Sequence, residues 1–157
     1  MTQMKKIGLI ALVPLIGIQV IQPARNTSGQ VPSSKDITII TSPDPEVKAL
    51  LKTACYDCHS NNTNYPWYAT IQPMGWLLSS HISNGKAELN FDEFGNYPGR
   101  RQQSKLKSIA SQVEKDEMPL GSYSLMHKEA RLNREQKTMI INWALKAIDS
   151  LPENKAK

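Results

Sequence analysis

The chain has 157 residues, enough for one domain with its own core and too few for two domains of ordinary size. Its hydrophobic fraction of 39% and charged fraction of 21% are those of a soluble globular protein, and two phenylalanines imply a modest core that a large apolar cofactor could enlarge. The net charge of +5 does not mark a nucleic-acid binder, because the lysines and arginines are scattered and Asp or Glu lies near most of them.

Lys5 and Lys6 precede an apolar run from Ile7 to Ile21, the order of a charged region and apolar region in an export signal. As a helix these 15 positions would reach about 22 Å, short of a ~30 Å hydrocarbon core, which suits a signal peptide. Gln22-Pro23-Ala24-Arg25-Asn26 carries no small-x-small cleavage pattern, however, and residues 1–25 are read as a retained membrane anchor, with cleavage between Ala24 and Gly29 as the alternative. The paired lysines favour the cytoplasm for that end, so the rest would face the periplasm or the outer surface, a bias that Arg25 on the other flank weakens. Residues 26–43, polar and without apolar periodicity except the short Ile37 to Ile40 stretch, read as a flexible tether.

The domain is expected over 44–151. Asp44 is a suitable N-cap before Pro45, and Val47, Leu50, Leu51 and Ala54 recur at helical spacing up to Cys55. A loop follows over Ser60 to Tyr65, then a stiff aromatic link of Pro66, Trp67 and Tyr68. Pro73 opens a second helix with the stripe Met74, Leu77, Leu78 and Ile82, which carries His81 and is predicted to stop at Asn84-Gly85. Leu106, Ile109, Ala110 and Val113 mark a third helix, Met118 to Leu132 reads as loop, and the last helix begins at Asn133 with Gln136 completing a capping box. That helix presents Met139, Ile140, Trp143, Ala144 and Ala147, and residues 152–157 form a basic tail. No alternating strand pattern and no internal repeat occurs. The predicted fold class is all-α.

The run Cys55-Tyr56-Asp57-Cys58-His59 has the spacing of a c-type haem attachment motif. On one helical turn two thiols reach the two porphyrin vinyl groups as thioethers, which leaves the adjacent imidazole of His59 beneath the iron as the proximal ligand. These are the only two cysteines, so an exported chain is left with no odd thiol. A thioredoxin-like redox CxxC would need a βαβ context, which the pattern lacks. A zinc site would need four closely spaced ligands, but His81 and His127 lie 46 positions apart. A plain Cys55–Cys58 disulfide is the fate of an apoprotein. On the far side of the iron, Met118 followed by Pro119 offers a thioether, in the order that suits a class I cytochrome c. The competing reading makes Met118 a core residue. His81 is the rival distal ligand, or a core histidine bonded to backbone or a haem propionate. His127 is read as structural or solvated, and Trp67 and Trp76 as walls of the haem pocket.

At these residues the chain resembles the small bacterial haem-binding domain family (Haem_bd), and at fold level the monohaem cytochromes c. The resemblance runs from about Leu51 to Ala144 through Cys55-Tyr56-Asp57-Cys58-His59-Ser60-Asn61, Tyr65-Pro66-Trp67-Tyr68, Pro73, Trp76-Leu77, His81-Ile82, Gly85-Lys86, Asn90-Phe91, Met118-Pro119-Leu120, Tyr123, His127, Glu129-Ala130-Arg131-Leu132 and Trp143. It implies one covalently bound haem on Cys55, Cys58 and His59 in an exported or membrane-tethered protein; similar domains also occur joined to peroxidase-like modules. Lys86 and Lys128 depart from the family, which often has Arg after the glycine and Pro after the later His.

The expected function is electron transfer by a monohaem c-type cytochrome, with a redox partner protein, no small-molecule substrate and no catalysis. The alternative is a peroxidase-like enzyme component or a gas or redox sensor with a weakly held distal ligand. An obvious distal acid–base pair would favour that alternative, and only His81 stands there.

Overall fold

The computed structural model describes residues 12–29 and 33–151. Among them are the helices α1 (Ile37–Thr41), α2 (Pro45–Ala54), α3 (Tyr56–His59), α4 (Met74–Glu88), α5 (Gly99–Glu114), α6 (Gly121–Met126) and α7 (Arg134–Ser150), joined by short 3-10 turns. Residues 12–17 are also helical and run into the turn Ile18–Val20. No strand occurs among the described residues; Thr27 and Asn62 form an isolated bridge. The domain is all-α, as the periodicity predicts.

The most extensive helix pairing is between α5 and α7. Leu106, Ala110 and Val113 recur every three or four positions on α5, as do Ile140, Trp143, Ala144 and Ala147 on α7, so each helix buries one stripe against the other. The expected capping box fixes the start of α7: Asn133 accepts from the Gln136 amide at 2.9 Å while the Gln136 side chain accepts from the Asn133 amide at 2.9 Å. Helix α2 begins with Pro45 behind Asp44 and adds Val47 and Leu51 to the same core, together with Phe91 and Phe94 from the turn Phe91–Asn96.

Four expectations are corrected. The supposed tether over 26–43 contributes to the core: Ile37 is fully buried within it, and Asp36 is fully buried beside it. Asp36 caps α1 by accepting from the Thr38 amide at 2.8 Å and the Thr38 hydroxyl at 2.6 Å, which is how a carboxylate tolerates burial. Helix α4 does not stop at Asn84-Gly85 but continues to Glu88, because Gly85 lies against α3 rather than in a left-handed cap. Its expected stripe is half exposed: Leu78 and Ile82 are buried, Met74 and Leu77 are not. The stretch read as loop after Met118 holds α6 and the turn Lys128–Ala130, which packs Tyr123 and Ala130 against Ala54.

The N-terminal apolar run is described only from Leu12, and residues 152–157 lie outside the described residues. Among the described residues no helix is long and apolar enough to cross a membrane.

Candidate functional site

The chain breaks at Cys55 (φ −127°, ψ −40°), where α2 ends and α3 begins in a new direction. The amides of Cys58 and His59 both donate to the Cys55 carbonyl, at 3.2 and 3.0 Å, and this single turn sets both thiols and the imidazole on one wall of a cavity of about 450 Å³. The facing stripe of α4 supplies His81, Asn84, Gly85 and Glu88, and α5 supplies Lys105, Ser108, Ile109, Gln112 and Val113. Met118, Pro119, Leu120 and Tyr123 close the remaining side. Cys55, Cys58, His59, His81 and Met118, scattered over more than 60 positions of sequence, thus share one cavity. Trp67 and Trp76 do not line it: Trp67 is 76% exposed, and the Trp76 indole donates to the Ile21 carbonyl at 2.9 Å.

The imidazole of His59 is oriented on two sides. Its Nδ1 faces the Leu89 carbonyl at 2.9 Å and must donate to it, while the ring stacks on Phe91 with centroids 5.6 Å apart. Burial holds its pKa below the ordinary 6.5, against the opposing pull of the Leu89 bond. A neutral ring with its proton on Nδ1 keeps an Nε2 lone pair for a metal. The two cysteines are free thiols. Burial, and secondarily Cys58, pushes Cys55 up to about 12, and burial with the charge of Asp57 pushes Cys58 up to about 11. Among the described residues no group of three His, Cys, Asp or Glu is placed to hold a metal ion.

The two residues between the cysteines carry bonds that the sequence did not disclose. The Tyr56 hydroxyl donates to Asp36, lying 2.8 Å from Oδ2, and the Tyr123 hydroxyl donates to Asp57 Oδ2 at 2.6 Å. Burial, then Asp57, raises the Tyr123 pKa, so it remains a donor. Tyr123 stacks on His127 at 4.2 Å, and His127 also bonds the Tyr68 hydroxyl at 2.8 Å and Glu129 at 3.2 Å. No periodicity marks Tyr123, because it sits on a helix of one and a half turns. The periodicity marked Gly85 as a helix stop; a Cβ there would meet the Cys58 carbonyl oxygen at 2.8 Å, so α4 can pass α3 this closely only with glycine. Lys86 lies off the cavity and donates to Asn26 Oδ1 at 2.5 Å.

Two thiols and an imidazole share one wall, with a thioether and a second imidazole elsewhere on a largely apolar surface; an imidazole and a thioether are among the side chains that ligate haem iron. The fold and site define a small all-α haem protein. A model of the haem-binding domain family matches residues 13–146, and the chain belongs to that family. No match was found among curated proteins or among solved structures.

Proposed function

We propose that the chain is a monohaem c-type cytochrome that transfers electrons on the periplasmic side of the membrane, held there by its retained N-terminal run. Cys55 and Cys58 would hold the haem as thioethers, His59 would ligate the iron through Nε2, and Met118 would supply the sixth ligand. When bound, the haem supplies one-electron chemistry, its iron alternating between ferrous and ferric. The residues set the conditions for that exchange. The Leu89 carbonyl holds the His59 ring and increases its basicity as a ligand. The Met118 sulfur and the apolar wall of Leu89, Phe91, Ile109 and Val113 would favour the ferrous charge state of a bound haem.

The observation that carries this reading is the convergence of Cys55, Cys58, His59 and Met118 on one cavity. Acid–acetone extraction tests the attachment: haem should stay on the polypeptide, and its complete removal from wild type refutes thioethers. The optical spectrum tests the ligation, with a far-red sulfur-to-iron band and a low-spin ferric state expected. His81 on the same cavity gives the competing reading, a peroxide- or gas-binding haem protein, its foothold. A wild type already five-coordinate and reactive to peroxide would establish that reading and overturn electron transfer.

A further inference from the structure

The apolar N-terminal run does not leave the domain freely; its last residues are bonded to one surface of it. The Gln72 amide donates to Gln19 Oε1 at 2.8 Å and Gln19 Nε2 donates back to the Gln72 carbonyl at 3.1 Å. Gln22 Nε2 reaches the Thr70 carbonyl at 3.1 Å, and the Trp76 indole reaches the Ile21 carbonyl at 2.9 Å. These bonds hold the segment of Val20 and Ile21, 84% and 63% exposed, to residues 70–76, a stretch that carries the uncovered side chains of Ile71 at 46% and Met74 at 39% and follows Trp67 at 76%. The helical residues before them are exposed on every described apolar side chain from Leu12 to Ile16, each by half or more. A helix apolar all round belongs in a buried or membrane setting.

We propose that the face built by Trp67, Ile71 and Met74 rests on the phospholipid bilayer, as a continuation of the N-terminal run; this depends on that run being a retained anchor. The length of the run supplies the force. Fifteen apolar positions fall short of a ~30 Å hydrocarbon core, and a short span draws its flanking surface into the interface. Tryptophan is the side chain favoured at that depth, with an apolar body and a polar edge. Arg25, four residues beyond the run and stacked over the Tyr65 ring at 4.5 Å, adds a cation suited to lipid phosphate.

The test is photo-crosslinking of the full-length protein in native membranes, with p-benzoylphenylalanine replacing Trp67, Ile71 or, as a control on exposed α7, Asn142. The expected result is a mass gain of one phospholipid at positions 67 and 71 and none at 142. A protein adduct at 67 would assign the face to a protein partner and overturn the proposal. So would absence of any adduct at 67 and 71 in membrane-bound chain, or recovery of the chain in the soluble fraction. Haem retention in the same samples is scored separately. Haem held without lipid adducts sinks the docking face alone, and lipid adducts on a chain that releases its haem sink the cytochrome reading alone.

Discussion

The two walls of the cavity are built by different means. On the proximal wall, α3 is fixed by side chains from distant parts of the chain: Tyr56 reaches Asp36, Asp57 reaches Tyr123, and His59 reaches Leu89, at 2.6 to 2.9 Å. On the distal wall, the amides of Glu117 and Met118 both rely on one acceptor, the Gln112 carbonyl, at 2.9 and 3.2 Å. One exposed ion pair, Lys137 with Asp116, adds to that. Local opening is cheapest where few buried contacts must break. The proximal wall should therefore hold its geometry with or without a sixth ligand, while the distal wall opens first.

The largest effects are expected on the proximal wall. Under the proposed ligation, His59→Ala would remove the iron ligand, and Cys55→Ala or Cys58→Ala would remove one thioether. A haem-stained denaturing gel should show no mature holoprotein for His59→Ala and only labile or scarce haem for either cysteine variant; normal staining of all three would dissolve the distinction between the walls. Gly85→Ala comes next. Its Cβ would press on the Cys58 carbonyl at 2.8 Å, a backbone contact that cannot swing aside. Overpacking of this kind costs about 1–3 kcal/mol, readable as a lower urea midpoint. An unchanged midpoint would mean that α3 and α4 separate easily.

The hydroxyl deletions grade the two ties. Tyr56→Phe leaves the fully buried Asp36 with only Thr38 as donor, and should cost roughly 1–3 kcal/mol. Tyr123→Phe should cost less, about 1 kcal/mol, because Asp57 keeps the Asn64 amide at 3.0 Å. Equal losses would show that burial of the carboxylate does not set the scale. Met118→Ala should cost little stability, since the side chain is only half-buried. It should nonetheless abolish the sulfur band and admit carbon monoxide. His81→Ala should keep the band. The reverse pair of outcomes would make His81 the ligand.

What could be read from sequence follows the same division. The stripes Leu106, Ala110, Val113 and Ile140, Trp143, Ala144 announce themselves because helix burial repeats at a fixed local spacing. The motif Cys55 to His59 is equally local, and Met118 stood out by sitting beside charged residues and a proline. Asp36 and Ile37 were hidden because a five-residue helix has no repeat to show, and because the donor from Tyr56 comes from 20 positions away. Trp67 and Trp76 misled for the opposite reason. An aromatic in a connection carries no sign of its direction, and the Trp76 indole turned out to face the N-terminal segment rather than the cavity.

The smallest stability effect, and the sharpest test of the contrast, is expected from Lys137→Ala. The pair it breaks ties α7 to the segment leading into Met118, but the Asp116 side chain is 71% exposed. Exposed pairs contribute ~0.2–1 kcal/mol and are screened by salt. Unfolding midpoints should therefore hardly move. If the distal wall opens by lifting that segment from Gln112, the same small energy acts on the opening step, and ~0.5 kcal/mol corresponds to a rate about 2-fold higher. Imidazole binding to the ferric protein, followed by stopped flow, should be faster in Lys137→Ala by about that factor, and raising salt should speed wild type towards the variant while leaving the variant unchanged. The proximal control is Tyr123→Phe, which costs more stability yet should leave the imidazole rate unaltered. If Tyr123→Phe accelerates binding and Lys137→Ala does not, the opening runs through α3 and α6, and the distal segment is the rigid wall.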